Sequence, residues 1–263
     1  MGVSTHLRIQ LAFMGLALVV FVGDVAAQFL GWAFARRLQR EVQATAAGRG
    51  AIEASVFALL GLLVAFSFSG AEGRLVGRHD LSVREASAID TVYLRFDLLP
   101  DPAQRELKEK VRQYLDSRIA FYDARLYKEN VDFEERHSNQ LKHELWEGAA
   151  RALEPNPDQR VRPFVLSALN EMFVATIARE AALRMHIPMV IFIFLALLSF
   201  ACGFVAGMNM AEAPHPNALY VYLFASTMAL TAFIILNVEF PRAGFMPTRF
   251  LDDALVHLRA TMS

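Results

Sequence analysis

The stretch AIEASVFALLGLLVAFSFSG, residues 51–70, decides the class of this protein. It carries one charged side chain, Glu53, near its beginning. About 20 predominantly apolar residues in a helix are needed to cross the roughly 30 Å hydrocarbon core of a bilayer. The run therefore predicts a membrane-spanning helix, with Glu53 at its mouth, where the membrane interface is wet.

Three more apolar stretches of similar length lie on either side of this run, at residues 9–34, 187–208 and 217–238. A cleaved signal peptide is an alternative for the first of them. Its apolar pattern continues to Arg36 and Arg37, however, which is typical of a full span that ends at an aromatic and basic interface. The chain of 263 residues is 55% hydrophobic, and its mean hydropathy is +0.31. We therefore predict four transmembrane helices.

Residues 71–186, between the second and third spans, hold most of the charged side chains and predict a water-facing body. Apolar residues recur there near the helical period, without the alternation of strands. A last helix of the body is predicted from about Val161 to Arg184, and Ser138 is predicted to cap a helix that Pro155 and Pro157 stop. Residues 239–263 form a C-terminal segment with a short amphipathic helix. The predicted fold is an all-α integral membrane protein with a helical body inserted between spans two and three.

Composition and motifs exclude several classes of function. The 26 Lys and Arg against 27 Asp and Glu give a net charge of −1, so no positive field exists to hold nucleic acid. Cys202 is the single cysteine and lies in an apolar run. The sequence HELWE at residues 143–147 lacks the second histidine that a zinc-protease helix needs. With no phosphate loop or nucleophile elbow either, we predict that the protein is not an enzyme and has no metal site or cofactor.

Two polar residues, Asp24 and Gln28, lie four positions apart in span one and share a helix face. A carboxylate at the bilayer centre costs roughly 2.5–3.5 kcal/mol on insertion scales, so such residues are functional candidates by default. The alternative is that Asp24 pairs with a polar group of another span, such as Thr227 or Thr231, and joins the helices. Both interpretations turn Asp24 toward the inside of the protein.

Gly203 and Gly207 form a G-xxx-G pattern in span three. Small residues at this spacing let two membrane helices approach closely. We therefore interpret them as a helix-packing site that needs no ligand.

Span two carries a row of side chains on nearly one helix face. The row has apolar members in its middle and a hydroxyl at either end, and consists of Ser55, Leu62, Phe66 and Ser69. The lining of a pore has this pattern, since apolar groups form its constriction. The packed face of an ordinary membrane helix has it too, and the residues alone leave both interpretations open.

Several motifs resemble the bestrophin-like family of bacterial membrane proteins. Around span two they are the G-LL-AF run within residues 61–66, the V-EA-I box at residues 83–89 and LLPDPAQ at residues 98–104. LSALNEMF at residues 166–173, Arg184 to Pro188, and EFPRAGF at residues 239–245 follow in the family's order. The resemblance covers nearly the whole chain from about Ala51 onward.

The family is named for a remote similarity to bestrophins, pentameric anion channels with four spans and a large cytoplasmic helical body. The resemblance implies a homo-oligomer, a pentamer by this comparison, that conducts chloride or another small anion. Span two would line its pore, with Phe66 at a hydrophobic neck, Leu62 one turn before it and Arg74 as the basic residue at the pore exit. Phe66 is followed by Ser67, Phe68 and Ser69 instead of the basic and amide residues of bacterial bestrophins, so anion selectivity is implied by the resemblance alone.

Arginines near the membrane ends predict the orientation. Four lie in the loop after span one, at Arg36, Arg37, Arg40 and Arg49. Eight lie on the opposite side, at Arg8, Arg74, Arg78, Arg84, Arg179, Arg184, Arg242 and Arg249. Because positive residues accumulate on the cytoplasmic side, both termini and the body are expected there, in a bacterial inner membrane.

Two functions agree with these observations. The first is a homo-oligomeric ion channel whose second span surrounds an axial pore, with the lipid bilayer, its own copies and the permeant ion as its partners. The alternative is a membrane-anchored interaction or sensing protein with no transport activity, whose helical body docks a partner. Ion flux through liposomes that contain the purified protein separates the two.

Overall fold

The computed structural model describes residues 2–38, 46–127, 130–154, 160–241 and 251–262. Regular structure in this part of the chain consists of α-helices and one short 3-10 helix, Phe96–Leu98, with no strand among the described residues. The helices are α1 (Gly2–Leu38), α2 (Ala46–Arg95), α3 (Ala103–Tyr127), α4 (Val131–Leu153), α5 (Val161–Arg184), α6 (Met189–Asn209), α7 (Ala218–Glu239) and α8 (Asp253–Thr261).

Four stretches are long and apolar enough to cross a membrane: Leu7–Arg37, Gly50–Leu98, Val161–Asn209 and Ala218–Glu239. They overlap the four predicted spans, whose helices are α1, α2, α6 and α7. The predicted all-helical class and the number of membrane-crossing helices are therefore confirmed.

The chain divides into two compact units. The span unit consists of residues 7–73 and 186–246, and the body unit of residues 1–6, 74–185 and 247–263. α2 contributes to both, because the helix continues past the apolar run to Arg95, where the 3-10 helix and Pro100 end it. The apolar stripe of the body half of α2, with Ala86, Ile89 and Val92 buried, accounts for this continuation.

The body unit has its own hydrophobic core. Side chains that are 0% exposed recur at helical spacing on each contributing helix: Ile89 and Val92, Val111 and Leu115, Leu145 and Ala149, Leu169 and Met172, and Leu255. The core thus receives one apolar face each from α2, α3, α4, α5 and α8.

One predicted helix start is wrong. α4 begins at Val131, after Asn130 in the left-handed region with φ of 55°, so Ser138 lies inside the helix. The Ser138 hydroxyl is buried and bonds to Ser117 of α3. A hydroxyl that finds a partner on a neighbouring helix does not have to cap its own. α4 ends at Leu153, while Pro155 and Pro157 lie outside the described residues.

Of the predicted C-terminal segment, residues 251–262 belong to the body unit. Its short helix α8 buries Leu255 in the core. Arg259 bonds to both carboxylate oxygens of Asp116, at 2.6 and 3.1 Å. Three of the arginines that predict the orientation lie outside the described residues: Arg40, Arg242 and Arg249.

Candidate functional site

The predicted row on span two is exposed in the isolated chain. Phe66 is 65% exposed and Leu62 is 51% exposed, and Ser55 and Ser69 are exposed as well. The Ser55 hydroxyl donates to the carbonyl of Ala51 at 2.8 Å, within its own helix. The row is therefore a continuous surface of α2 that the described residues do not bury.

The opposite side of α2 is packed. Leu60 is 4% exposed, Ser67 7% and Ala71 0%. Ala71 joins a cluster with Ile187 and Ile235, and the Cys202 thiol approaches the Val56 carbonyl at 3.8 Å. The apolar run of α2 thus has one side packed against neighbouring spans and one side that the described part of the chain leaves uncovered.

The two arginines that follow the run differ in environment. Arg74 is half-buried, and at 100° per residue its position is about 80° around the helix from Phe66. Arg78 is 5% exposed and donates to the carbonyls of Ala182, at 3.4 Å, and Met185, at 2.7 Å. Arg78 thereby satisfies carbonyl groups at the end of α5, a role that the sequence did not indicate.

Asp24 and Gln28 are both 0% exposed. The Ser199 hydroxyl of α6 lies 3.0 and 2.9 Å from the two carboxylate oxygens of Asp24. The Gln28 amide donates to the Val221 carbonyl of α7 at 3.2 Å and to the Asp24 carbonyl at 3.3 Å. These two residues therefore connect α1 with both α6 and α7.

Asp24 pairs with a polar group of another span, as the alternative predicted, but the partner is Ser199 of α6 and not Thr227 or Thr231 of α7. Thr227 and Thr231 each donate to the carbonyl four residues earlier in α7, at 2.8 Å. The G-xxx-G pattern explains why Ser199 of α6 is the partner of Asp24. A side chain at Gly203 would begin 3.3 Å from an Asp24 carboxylate oxygen, and one at Gly207 would collide with the Gln28 carbonyl. This close contact of α6 with α1 brings Ser199 to Asp24.

A buried ion cluster in the body unit escaped the sequence analysis. Glu85 of α2 is 0% exposed and accepts hydrogen bonds from Arg118 at 2.9 Å, Arg179 at 2.8 Å and the Tyr122 hydroxyl at 2.8 Å. The hydroxyl of Thr176 is 3.2 Å away. The one sign of this cluster in the sequence is Glu85, a charged residue on the apolar stripe that carries Ile89 and Val92.

The arginines of this cluster extend it to further acids. Arg118 donates to Glu180 at 2.8 Å, and Arg179 donates to the Leu251 carbonyl at 2.9 Å and to Asp252 at 2.5 Å. Arg179 also lies over the Tyr122 ring, 3.7 Å from its centre. The cluster thus binds α2 to α3, α5 and the segment before α8, with Glu85, Arg118 and Arg179 buried and Glu180 and Asp252 partly exposed.

The surroundings of Glu85 favour the charged form of its carboxyl group. Burial raises the pKa of the Glu85 carboxyl, but Arg118 and Arg179 outweigh it and hold that pKa below its usual range. Burial and the neighbouring Glu85 carboxylate raise the pKa of Tyr122, which stays protonated and donates. Because Glu85, Arg118 and Arg179 are paired and buried, the arrangement serves to fix the helices that carry them.

Metal-binding side chains do not gather in the described part of the chain. No group of three or more His, Cys, Asp or Glu could hold an ion there. His137 stacks on Phe133 with ring centres 6.2 Å apart.

Comparisons with known proteins agree with the motifs. The Bestrophin-like domain family matches residues 18–249. The crystal structure of a mutant bacterial bestrophin homolog from Klebsiella pneumoniae superposes with a TM-score of 0.66 and 13% sequence identity, over 94% of this chain and 98% of that chain. At this identity the likeness concerns the fold alone. No curated protein matches the chain.

Proposed function

The chain belongs to the bestrophin-like family, and from this premise we propose that it is a homo-oligomeric ion channel whose second span lines the pore. Leu62 and Phe66 form the constriction, and Ser55 and Ser69 place hydroxyls on either side of it. Apolar side chains at a narrow constriction resist ions by excluding water, since an ion cannot exchange its hydration shell for methyl and phenyl groups.

The observation that carries this proposal is the uncovered side of α2. Phe66, with 65% of its surface exposed, gains little from packing inside its own chain. One helix face cannot enclose a pore, so copies of the chain must surround an axis. In a closed ring each residue of the row recurs at one level, which makes Phe66 a ring of aromatic side chains.

The proposed permeant ion is chloride or another small anion, and the proposed ring is a pentamer, both on the strength of the family. Residues 54–71 contain no charged side chain, so this stretch places no negative charge along the pore. Arg74 is the proposed basic residue at the exit. Its half-buried position, turned away from Phe66, makes it a contributor to the local potential more than a direct ligand of the ion.

The proposed location is a bacterial inner membrane with both termini and the body in the cytoplasm. Contacts within the span unit show which of its helix ends lie next to each other. Trp32 donates to the Ala213 carbonyl at 3.2 Å, and Arg36 donates to the Pro214 carbonyl at 2.8 Å. The end of α1 and the loop between α6 and α7 therefore lie at the same end of the span unit.

The second candidate is a membrane-anchored interaction or sensing protein without transport. It is favoured by the independent core of the body unit and by exposed apolar side chains on α5 and directly after it: Val174 and Ile177 are each 56% exposed, and Met185, which follows the helix, is 63% exposed. Such a surface fits a protein partner, and it equally fits a second copy of this chain.

Chloride efflux from liposomes that contain the purified protein tests the channel, with protein-free liposomes as the control. We expect efflux, together with a mass in native mass spectrometry that is a multiple of the 29.4 kDa chain. A 29.4 kDa monomer without efflux would refute the channel and leave the anchored interaction protein.

A further inference from the structure

The span unit contains an apolar pocket between its helices. Its volume is about 280 Å³, and all four spans contribute to its wall. The lining includes Val20 of α1, Leu60 and Val64 of α2, Phe192 and Phe200 of α6, and Ile235 of α7. An engineered cavity of roughly 150 Å³ takes a benzene-sized ligand, so this pocket has room for an aliphatic group about twice as large.

The pocket is unsuited to water. Its two hydroxyl-bearing lining residues are Ser199 and Thr231, and both hydroxyls are engaged. Ser199 binds the Asp24 carboxylate at 2.9 Å, and Thr231 donates to the Thr227 carbonyl at 2.8 Å. A water molecule in a protein needs two to four polar partners, so an aliphatic occupant suits this wall better.

The depth of the pocket matches one leaflet of a bilayer. Along α6 the lining begins at Met189, the first residue of the helix, and ends at Phe200. At 1.5 Å per residue this distance is about 16 Å, near half of the roughly 30 Å hydrocarbon core. Met189, Ile193 and Leu197 of the lining are 70%, 55% and 60% exposed, so the pocket is accessible along this face of α6, beginning at the end of the span.

We infer that this pocket binds one acyl chain of a membrane phospholipid, inserted from the leaflet at the Met189 end of α6. Lipid tails are as apolar as the lining, so transfer from the bilayer supplies no hydrophobic gain. The driving force is dispersion, because side chains around a void lack contact partners on one side. The inference rests on the pocket alone and is independent of channel activity.

A second copy of the chain is the competing occupant. A neighbouring helix covers a surface by laying a ridge of side chains along it. Filling a pocket that four spans line over the depth of a leaflet requires a long, thin and flexible group instead. An acyl chain has this shape.

Photolabelling in a bilayer tests the inference. The protein is reconstituted in phosphatidylethanolamine and phosphatidylglycerol that include a phosphatidylglycerol with a mid-chain diazirine. Adducts are then located by mass spectrometry. We expect adducts concentrated on the pocket-lining residues of α6 and α7. A fatty acid with the same diazirine forms a parallel arm, and pocket labelling by the fatty acid but not by the phospholipid would overturn the choice of a phospholipid.

Two variants fill the pocket with a phenyl ring: Ala232→Phe on α7 and Ala196→Phe on α6, both at lining positions. Each should abolish the pocket adducts. Leu230→Phe adds a ring to α7 at a position that is 58% exposed and outside the lining, so it should leave them unchanged. Helical circular dichroism and the elution volume show which variants are folded.

Two further results would overturn the inference. One is equal labelling of the pocket residues in wild type and in a folded Ala232→Phe or Ala196→Phe variant. The other is crosslinking of the pocket residues to a peptide of a second copy, with no lipid adduct there.

Discussion

The carboxylate of Glu85 on α2 accepts a hydrogen bond of 2.8 Å from the guanidinium of Arg179 on α5. The two residues are 94 positions apart in sequence, and their side chains are 0% and 2% exposed. The same guanidinium also binds the Leu251 carbonyl and the Asp252 carboxylate. Through this one arginine, α2 is bound to the segment that leads into α8.

Removing the Glu85 carboxylate should destabilise the body unit strongly. Glu85→Ala leaves Arg118 and Arg179 buried without their shared acid, and breaking a buried pair in this way costs about 3–5 kcal/mol. Thermal unfolding in mild detergent measures the loss. Glu109→Gln is the control, because Glu109 forms an exposed pair with Arg112, and such pairs contribute about 0–1 kcal/mol. Equal stability of the two variants would contradict a structural role for the cluster.

The same cluster should make stability depend on acid pH. The pKa of Glu85 in the folded protein lies below its ordinary value of 4.5, so the folded state binds this proton less readily than the unfolded state. The contribution of Glu85 to the free energy of unfolding is therefore present above pH 4.5 and is lost as the pH falls through the pKa of the folded state. Unfolding temperatures measured from pH 6 downward should therefore fall less steeply in Glu85→Gln than in the wild type, starting from a lower value. Parallel curves would show that another group is responsible.

The spans and the helical character of the body could be predicted because they depend on local pattern. A run such as residues 51–70 is apolar over the thickness of a bilayer, and the stripe of Ile89 and Val92 has the helical period. Hydropathy and periodicity are read within one segment, so they identify an element and its apolar face without the rest of the chain.

Partners distant in sequence could not be predicted in this way. Asp24 binds Ser199, 175 residues away, because Gly203 and Gly207 let α6 approach α1, and no local pattern distinguishes Ser199 from Thr227 or Thr231. Glu85 is visible as a charge in an apolar stripe, but its arginines lie on two other helices. Likewise, periodicity puts Leu62 and Phe66 on one face without telling whether that face is covered.

Gly207→Ala should weaken the packing of the span unit. Its methyl group would collide with the carbonyl of Gln28, a backbone atom that can give way only if α1 moves. Overpacking of this kind costs about 1–3 kcal/mol, seen as a lower unfolding temperature in detergent. Gly61→Ala is the matched control on α2, since nothing lies within 4 Å of its added methyl. A Gly207→Ala protein as stable as Gly61→Ala would mean that α1 and α6 are not in close contact.

The orientation is tested with single cysteines in a Cys202→Ser background. Glu212 in the loop between α6 and α7 and Asn139 on α4 are both exposed. If the body is cytoplasmic, Glu212→Cys reacts with a membrane-impermeant maleimide in intact spheroplasts, and Asn139→Cys reacts only after permeabilisation. The opposite labelling pattern would reverse the proposed topology.

The neck is tested by measuring flux and stability on the same variant. Phe66→Ala should raise chloride efflux from liposomes, because it removes one ring per subunit from the constriction and lets water and ions pass. Its effect on unfolding should be small, within about 0.5 kcal/mol as for surface positions, since Phe66 is 65% exposed in the chain.

Leu60→Ala is the matched control for the neck. Leu60 lies on the packed side of the same helix and is 4% exposed, so its truncation should cost about 2–5 kcal/mol without increasing efflux. The two variants thus have opposite signatures if α2 turns its uncovered side to a pore. Unchanged efflux in Phe66→Ala, with the oligomer intact in native mass spectrometry, would place Phe66 against lipid or a neighbouring subunit. The constriction would then have to lie elsewhere in the molecule.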